Sequence, residues 1–242
     1  MPHKILFTWS GGKDSAMALF ELQKEPDYEL SALLTTITGE YDRISMHGVR
    51  RSLLEEQAAS LGIPLETVTI TGNAPNVEYE KNMTAALKKY RDTGISLVAF
   101  GDIFLEDLRK YREENLRKIG MDALFPLWQR DTSALAASFI DAGFRAVITA
   151  VDSTVLGGSF CGREYNRQFL SDLPPGVDPC GENGEFHSFV YDGPIFRKPV
   201  ACMTGDIVFR EERFYFCDLL PVRNQTPEFS EHEIPAGGGS WK

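Results

Sequence analysis

Residues 5–22 read ILFTWSGGKDSAMALFEL. Ile5 to Trp9 is an apolar run with the makeup of a strand, and Ala16 to Leu22 has the makeup of a helix. Between them, Ser10-Gly11-Gly12-Lys13-Asp14-Ser15 forms a glycine turn, so the order is strand, turn, helix. Two glycines let the backbone bend tightly and approach an anion with no Cβ in the way. The helix that follows points unpaired N–H groups and the positive end of its dipole at the same spot. Ser10 and Ser15 add hydroxyl donors, and Lys13 adds a charge. A turn built this way suits phosphate. A tight turn with serine as helix cap is the plainer reading of the two glycines alone. The spacing fits neither the Walker A loop nor the dinucleotide fingerprint.

Downstream, strand and helix continue to alternate. A strand is predicted at 30–36 and a helix over 50–61 that stops at Gly62, a residue suited to a left-handed cap. A threonine-rich strand follows at 65–70, then a helix at 77–90. A short apolar strand at 95–100 ends at Gly101-Asp102, and a helix follows at 104–119. Alternation of this kind implies a parallel sheet with helices on both faces. Ligands of such sheets sit at the carboxyl ends of the strands. The Ser10 loop, Thr35-Thr36 and Gly101-Asp102 therefore share one rim.

The character changes near Phe125-Pro126. A helix at 132–142 and a strand at 145–151 come next, then a glycine cluster at 157–162 and a helical stretch at 164–173. From Gly184 onward short β-like runs dominate, at 186–190, 200–210 and 213–220. The expected organisation is a nucleotide-binding domain over 1–125, a smaller α+β domain over 126–225, and a loose tail over 226–242 rich in Pro, Glu and Gly.

The chain has 242 residues, 43% of them hydrophobic and 25% charged, the profile of a globular protein. Its formal net charge of −10 argues against a broad basic face for tRNA or DNA. No run approaches the roughly 18 apolar residues of a membrane span, and the amino terminus lacks a signal-peptide layout. Cys161, Cys180, Cys202 and Cys217 are far apart and form no CxxC pair, so the expectation is reduced thiols, no zinc site and a cytoplasmic location.

Several residues are candidates for chemistry. Lys13 could offset charge building on departing pyrophosphate. Asp14 and Asp102 could hold Mg²⁺ against a triphosphate, or serve only as acids at helix starts. His47 and Arg50, in SMHGVRR, could reach phosphate or a second substrate, or could lie on a wet surface. The run Cys180-Gly181-Glu182-Asn183-Gly184-Glu185-Phe186-His187 crowds two carboxylates, an amide, an imidazole and a thiol between turns. Glu182 and Glu185 could bind a cation or take a proton from an incoming amine. His187 could act as general acid or base, and Asn183 could hold a carbonyl oxygen. Nothing nearby clearly activates Cys180 as a nucleophile.

The hexamer SGGKDS resembles the PP-loop of N-type ATP pyrophosphatases. Taken with the Gly-Asp at a strand end, GENGEFH and the nearby DGP, it is similar to the diphthine–ammonia ligase family over residues 1 to about 220. The resemblance implies a HUP-type α/β domain, of the adenine nucleotide alpha hydrolase kind, plus a family-specific C-terminal domain. It implies ATP as cofactor, with Ser10, Gly11, Gly12, Lys13, Asp14 and Ser15 on the phosphates. It also implies adenylation of diphthine on a translation elongation factor, with ammonia displacing AMP, and a substrate role for Glu182, Asn183, Glu185 and His187. The segment ISMHGVRRSLLEEQAASLGIPL looks like that of a bacterial branch, in which the carboxylate partner could differ, with HGVRR as the place of that difference. The alternatives are a PP-loop enzyme acting on a small metabolite or tRNA, and a non-catalytic nucleotide-binding protein.

Overall fold

The computed structural model describes residues 2–44, 48–71 and 76–222. The chain runs β1 (His3–Thr8), α1 (Lys13–Leu22), β2 (Tyr28–Thr38), β3 (Arg43–Ile44), α2 (Arg51–Leu61) and β4 (Leu65–Ile70). It continues through α3 (Asn76–Arg91), β5 (Leu97–Ala99), α4 (Glu106–Arg117), β6 (Asp122–Leu124), α5 (Thr132–Asp141) and β7 (Arg145–Asp152). It closes with α6 (Arg167–Asp172), β8 (Phe186–Asp192), β9 (Cys202–Arg210) and β10 (Phe214–Pro221). The elements expected from pattern are present, with shifts of a few residues at their ends. The largest correction lies near Glu164, which sits in extended backbone bridged to Val147, so the helix begins only at Arg167. β3 and β6 were not foreseen, because two and three residues are too short to show a period.

The first sheet is parallel in the order β4-β2-β1-β5-β6. β3 is its antiparallel exception. Ile37 and Thr38 pair with β4 on one edge and with β3 on the other, so β3 continues the edge that β1 vacates after Thr8. Alternation along the strands sends side chains to opposite faces. Ile5, Phe7, Leu33 and Ala99 face the layer containing α1 and α2, while Leu6, Leu34 and Val98 face α3 and α4. α2 stops where Gly62 adopts φ 71° and its N–H reaches back to Ala58 and Ala59. A residue with a Cβ would be strained in that conformation.

The second sheet is antiparallel, in the order β8-β7-β10-β9. One buried apolar cluster runs from Ile5, Phe7 and Leu19 through Phe139 and Tyr165 to Phe186 and Phe189. The two sheets thus share a core. Each buried phenylalanine contributes about 1.5–3 kcal/mol of transfer free energy, so removing either sheet would strip the other of packing. Among the described residues, no helix is long and apolar enough to cross a membrane.

Candidate active site

β1 and β5 are neighbours in the sheet, yet the helices that follow them cover opposite faces. The strand order reverses there, and a crevice opens beyond the carboxyl ends. Ser10 to Ser15 fill its rim. α1 starts at Lys13, earlier than the Ala16–Leu22 stretch that reads as helical, so Gly12 is its cap. The Ser10 hydroxyl accepts from the Gly12 N–H at 3.3 Å and lies 3.2 Å from Ser15 Oγ. Ser15 Oγ donates to the Gly12 carbonyl at 2.9 Å.

Gly11 takes φ 76°, and a Cβ there would fall 2.7 Å from Gln57 Oε1. Gln57 is fully buried on the inner face of α2. Its amide accepts from Trp9 Nε1 at 2.9 Å and donates to the carbonyls of Gly11, at 3.0 Å, and Val190, at 2.6 Å. The Val190 N–H also donates to the Gly11 carbonyl at 2.9 Å. The loop is thus pinned to β8 of the second sheet. Ser188, also on β8, accepts the Lys13 backbone N–H at 3.1 Å.

The Lys13 side chain is buried. Its ammonium donates to both Asp14 oxygens, at 3.0 and 2.8 Å, and to the Cys180 carbonyl. It also lies 5.3 Å from the centre of the Phe186 ring. Burial alone would drive the ammonium pKa down, but the charge and hydrogen bond of Asp14, with Cys180 and Glu182, together outweigh it, and the value stays above the ordinary one. Lys13 is therefore a fixed cation. Burial raises the Asp14 carboxyl against the pull of Lys13, and Asp178 adds repulsion.

Gly101 brings β5 against α1. A Cβ at Gly101 would lie 3.0 Å from the Ser15 nitrogen and 3.1 Å from the Asp14 carbonyl carbon, so the rim closes only with glycine there. Asp102 is paired with Arg112, whose Nη2 donates to Oδ1 at 3.1 Å. Arg112 Nε lies 2.7 Å from Oδ2 as an ion contact without hydrogen-bond alignment, so Oδ2 has no hydrogen-bond partner. Thr35 is buried and donates its hydroxyl to the Trp9 carbonyl, which ties β2 to the start of the loop.

The loop before β8 supplies the other wall. Glu182 Oε1 accepts from the Ile103 N–H at 2.7 Å and, more loosely, from Phe104 at 3.4 Å. Burial, then the Asp14 charge, pushes its carboxyl up to about 7, against the pull of those two N–H groups and of Lys13. Desolvation, followed by the Lys13 charge, lowers the His187 imidazole to about 4. His187 is thus neutral near pH 7 and has no proton to give as an acid. Glu185 turns inward. Its carboxylate accepts from the Asp178 N–H at 3.1 Å, the Asn183 N–H at 2.9 Å and Asn183 Nδ2 at 3.0 Å. Burial raises the Cys180 thiol to about 12, which leaves it protonated.

A cavity of about 710 Å³ joins these parts. Ser10, Gly12, Lys13, Asp14, Ser15 and Thr35 line it, as do Gly101, Asp102, Glu182 and His187. An arm passes between α3 and α4, walled by Leu34, Met83, Leu87, Val98 and Leu116. Asn183, Glu185 and Arg50 are not among the lining residues. Arg50 is held away by Asp218 of β10, at 2.5 Å from Nη2 and 3.1 Å from Nε. His47 lies outside the described residues. Sequence reasoning missed Gln57, Ser188, Asp178 and Arg112. The one available signal was Gln57, a polar residue on the apolar stripe Leu53, Leu54, Ala58, Leu61.

A nucleoside triphosphate fits this arrangement, with donors and a fixed cation at the loop and aliphatic walls in the arm. Mg²⁺ fits as well. Asp14 and Glu182 are both raised partly by neighbouring negative charge, and Asp102 keeps a buried oxygen without a hydrogen bond. Among the described residues no ready-made cluster of three ligands is present, which suits an ion that is held by one or two carboxylates and completed by phosphate and water.

The family described as "Diphthamide synthase N-terminal domain" matches residues 3–123, and "Diphthamide synthase C-terminal domain" matches residues 131–219. A Danio rerio protein named diphthine–ammonia ligase is 28% identical over 226 residues, covering 84% of this chain and 88% of that one. The Homo sapiens protein of that name is 25% identical over 225 residues, with 82% of each covered. The Schizosaccharomyces pombe protein is 26% identical over 225 residues, covering 85% of this chain and 37% of its own length. Among solved structures, a "predicted subunit of tRNA methyltransferase" from Methanocaldococcus jannaschii aligns with TM-score 0.41 at 20% identity, over 59% of this chain and 77% of that one.

Proposed function

The chain belongs to the diphthamide synthase family, and from that premise we propose that it is an ATP-dependent carbon–nitrogen ligase of the diphthine–ammonia ligase kind. It adenylates the carboxylate of a diphthine-like acceptor on a translation elongation factor, releases pyrophosphate, and passes the acyl group to ammonia. The single observation that carries this reading is the joining, in one cavity, of the Ser10–Ser15 loop with Glu182 and His187 from the second sheet.

The chain's residues divide the work as follows. The loop N–H groups and serine hydroxyls bind the triphosphate. Lys13, already charged and held in place, stabilises the negative charge that builds on the departing pyrophosphate. The acceptor carboxylate oxygen forms a bond to the α-phosphorus as the bond to the β-phosphate oxygen breaks. The ammonia nitrogen then bonds to the acyl carbon, and AMP leaves. The nitrogen gives up a proton in that step, and Glu182, poised near 7, is the group matched to receive it. Neutral His187 lines the same cavity as a second acceptor. Mg²⁺, when bound, would be held by Asp14 and Asp102 and would neutralise triphosphate charge. Glu185 and Asn183 act as positioning residues, since their polar groups bond within the loop that carries Glu182.

The test combines purified protein with ATP, Mg²⁺, ammonium and elongation factor 2 bearing diphthine. AMP, pyrophosphate and the new amide should form in equal amounts. Release of ADP and phosphate would overturn the reading.

A further inference from the structure

Among the described residues, β9 forms the open edge of the second sheet. An open edge presents unpaired N–H and C=O groups and is a template for another strand, unless charged side chains, proline, a bulge or a cover blunts it. β9 reads CMTGDIVFR and contains neither lysine nor proline. A bulge interrupts its register with β10 between Ile207 and Thr204, which leaves Ile207 to Arg210 regular. Within that stretch Ile207 is 48% exposed, Val208 37% and Phe209 51%.

The phase of the edge follows from the hairpin. The Arg210 carbonyl accepts from the Arg213 N–H at 3.1 Å, so Arg210 bonds inward, toward β10. By alternation Val208 also bonds inward, and Ile207 and Phe209 turn their N–H and C=O groups outward. Just beyond them lie Asp206 and Arg210, of opposite charge. Neither makes an ion pair among the described residues.

We propose that two copies of this chain pair antiparallel through β9 about a two-fold axis at Val208. In that register Val208 faces its own copy and Ile207 faces the partner's Phe209, while Asp206, at the edge of the bulge, lies beside the partner's Arg210 twice over. The outward groups of Ile207 and Phe209 then form the hydrogen-bonded pair. Moving the axis to Asp206 or to Arg210 would set like charge directly against like charge, which destabilises cross-strand pairs. Charge complementarity therefore favours the Val208 axis over those two, and two four-stranded sheets become one of eight strands.

Sedimentation of the full chain across a hundredfold range of concentration tests this. Wild type should pass from monomer to dimer. Asp206→Arg alone should weaken the dimer by about tenfold or more, and the double swap Asp206→Arg with Arg210→Asp should restore it. Val208→Lys, which places two ammonium groups at the axis, should abolish it, while its thermal midpoint and circular dichroism report an intact fold. A chain that stays monomeric throughout, or a dimer indifferent to the charge swaps, would overturn the proposal. So would a dimer that forms only once residues 226–242 are removed, because the edge would then belong to that segment.

Discussion

Gln57 Oε1 accepts a 2.9 Å hydrogen bond from Trp9 Nε1, and through it the interior of α2 grips the end of the strand that launches the phosphate loop. The same side chain donates to Gly11 and Val190, so one fully buried amide joins β1, the loop and β8. Replacing it with leucine takes a partner from three buried polar groups, of which the Gly11 carbonyl alone is shown to keep another, the Val190 N–H. Gln57→Leu should cost about 3 kcal/mol in denaturant unfolding and weaken ATP binding by about tenfold. Wild-type stability in that variant would show that the contacts carry no weight.

Lys13→Met removes the fixed cation while keeping much of its volume. AMP release should fall by about a hundredfold or more, because the transition state loses charge stabilisation. Calorimetric titration with ATP should also show weaker binding. Turnover within twofold of wild type would exclude Lys13 from the chemistry.

Glu182 gives a pH signature. Its carboxyl is raised to about 7 in the folded protein, so the folded state holds a proton that the unfolded chain releases near the ordinary carboxylate range. Stability attached to this group is therefore full at low pH and declines as pH rises toward 7. Glu182→Gln should melt higher than wild type at pH 8 and show no such gain at pH 4. The same variant should lose the rise in amide formation that wild type shows through about pH 7. A parallel pH profile in the two proteins would refute the base assignment.

Asp218 behaves in the opposite sense. Burial pushes its carboxyl up, but the hydrogen bonds from Arg50 and Arg43 outweigh that and hold it below the usual range. Its stabilisation is present at neutral pH and lost as pH falls below about 4. Asp218→Asn should cost about 1 kcal/mol at pH 7, a figure kept small because the pair is partly solvated. Wild type and variant should converge in urea titrations near pH 3.

The Cys180 thiol, raised to about 12, should resist alkylation at pH 8 in the folded protein and react fully in denaturant. Cys180→Ser should keep its activity. Rapid labelling of the native chain at this site, followed by mass spectrometry, would contradict the burial argument.

The α/β alternation was legible because each element long enough to show a period did so. The strand at 65–70 and the stop at Gly62 are cases where composition and backbone demand coincide. Arg50 was not legible as a partner of Asp218, because 168 residues separate them and no local pattern marks a long-range ion pair. Asn183 and Glu185 were misleading for a related reason. Polar residues in a loop look alike in sequence whether they face a ligand or their own loop, and here the two side chains bond each other and Glu185 also takes loop N–H groups.

By itself the amino-acid order determined the phosphate turn, the parallel sheet that carries it and the rim shared by Ser10, Thr35 and Gly101. Glycine geometry and side-chain periodicity are local properties, and each acts within a few residues. Only the tertiary structure decided that Glu182 and His187 close the same cavity, that Gln57 holds the loop, and that β9 is left at an edge. Those outcomes depend on how two sheets pack over one core, and the burial that shifts their carboxyl and imidazole groups exists only once that packing is complete.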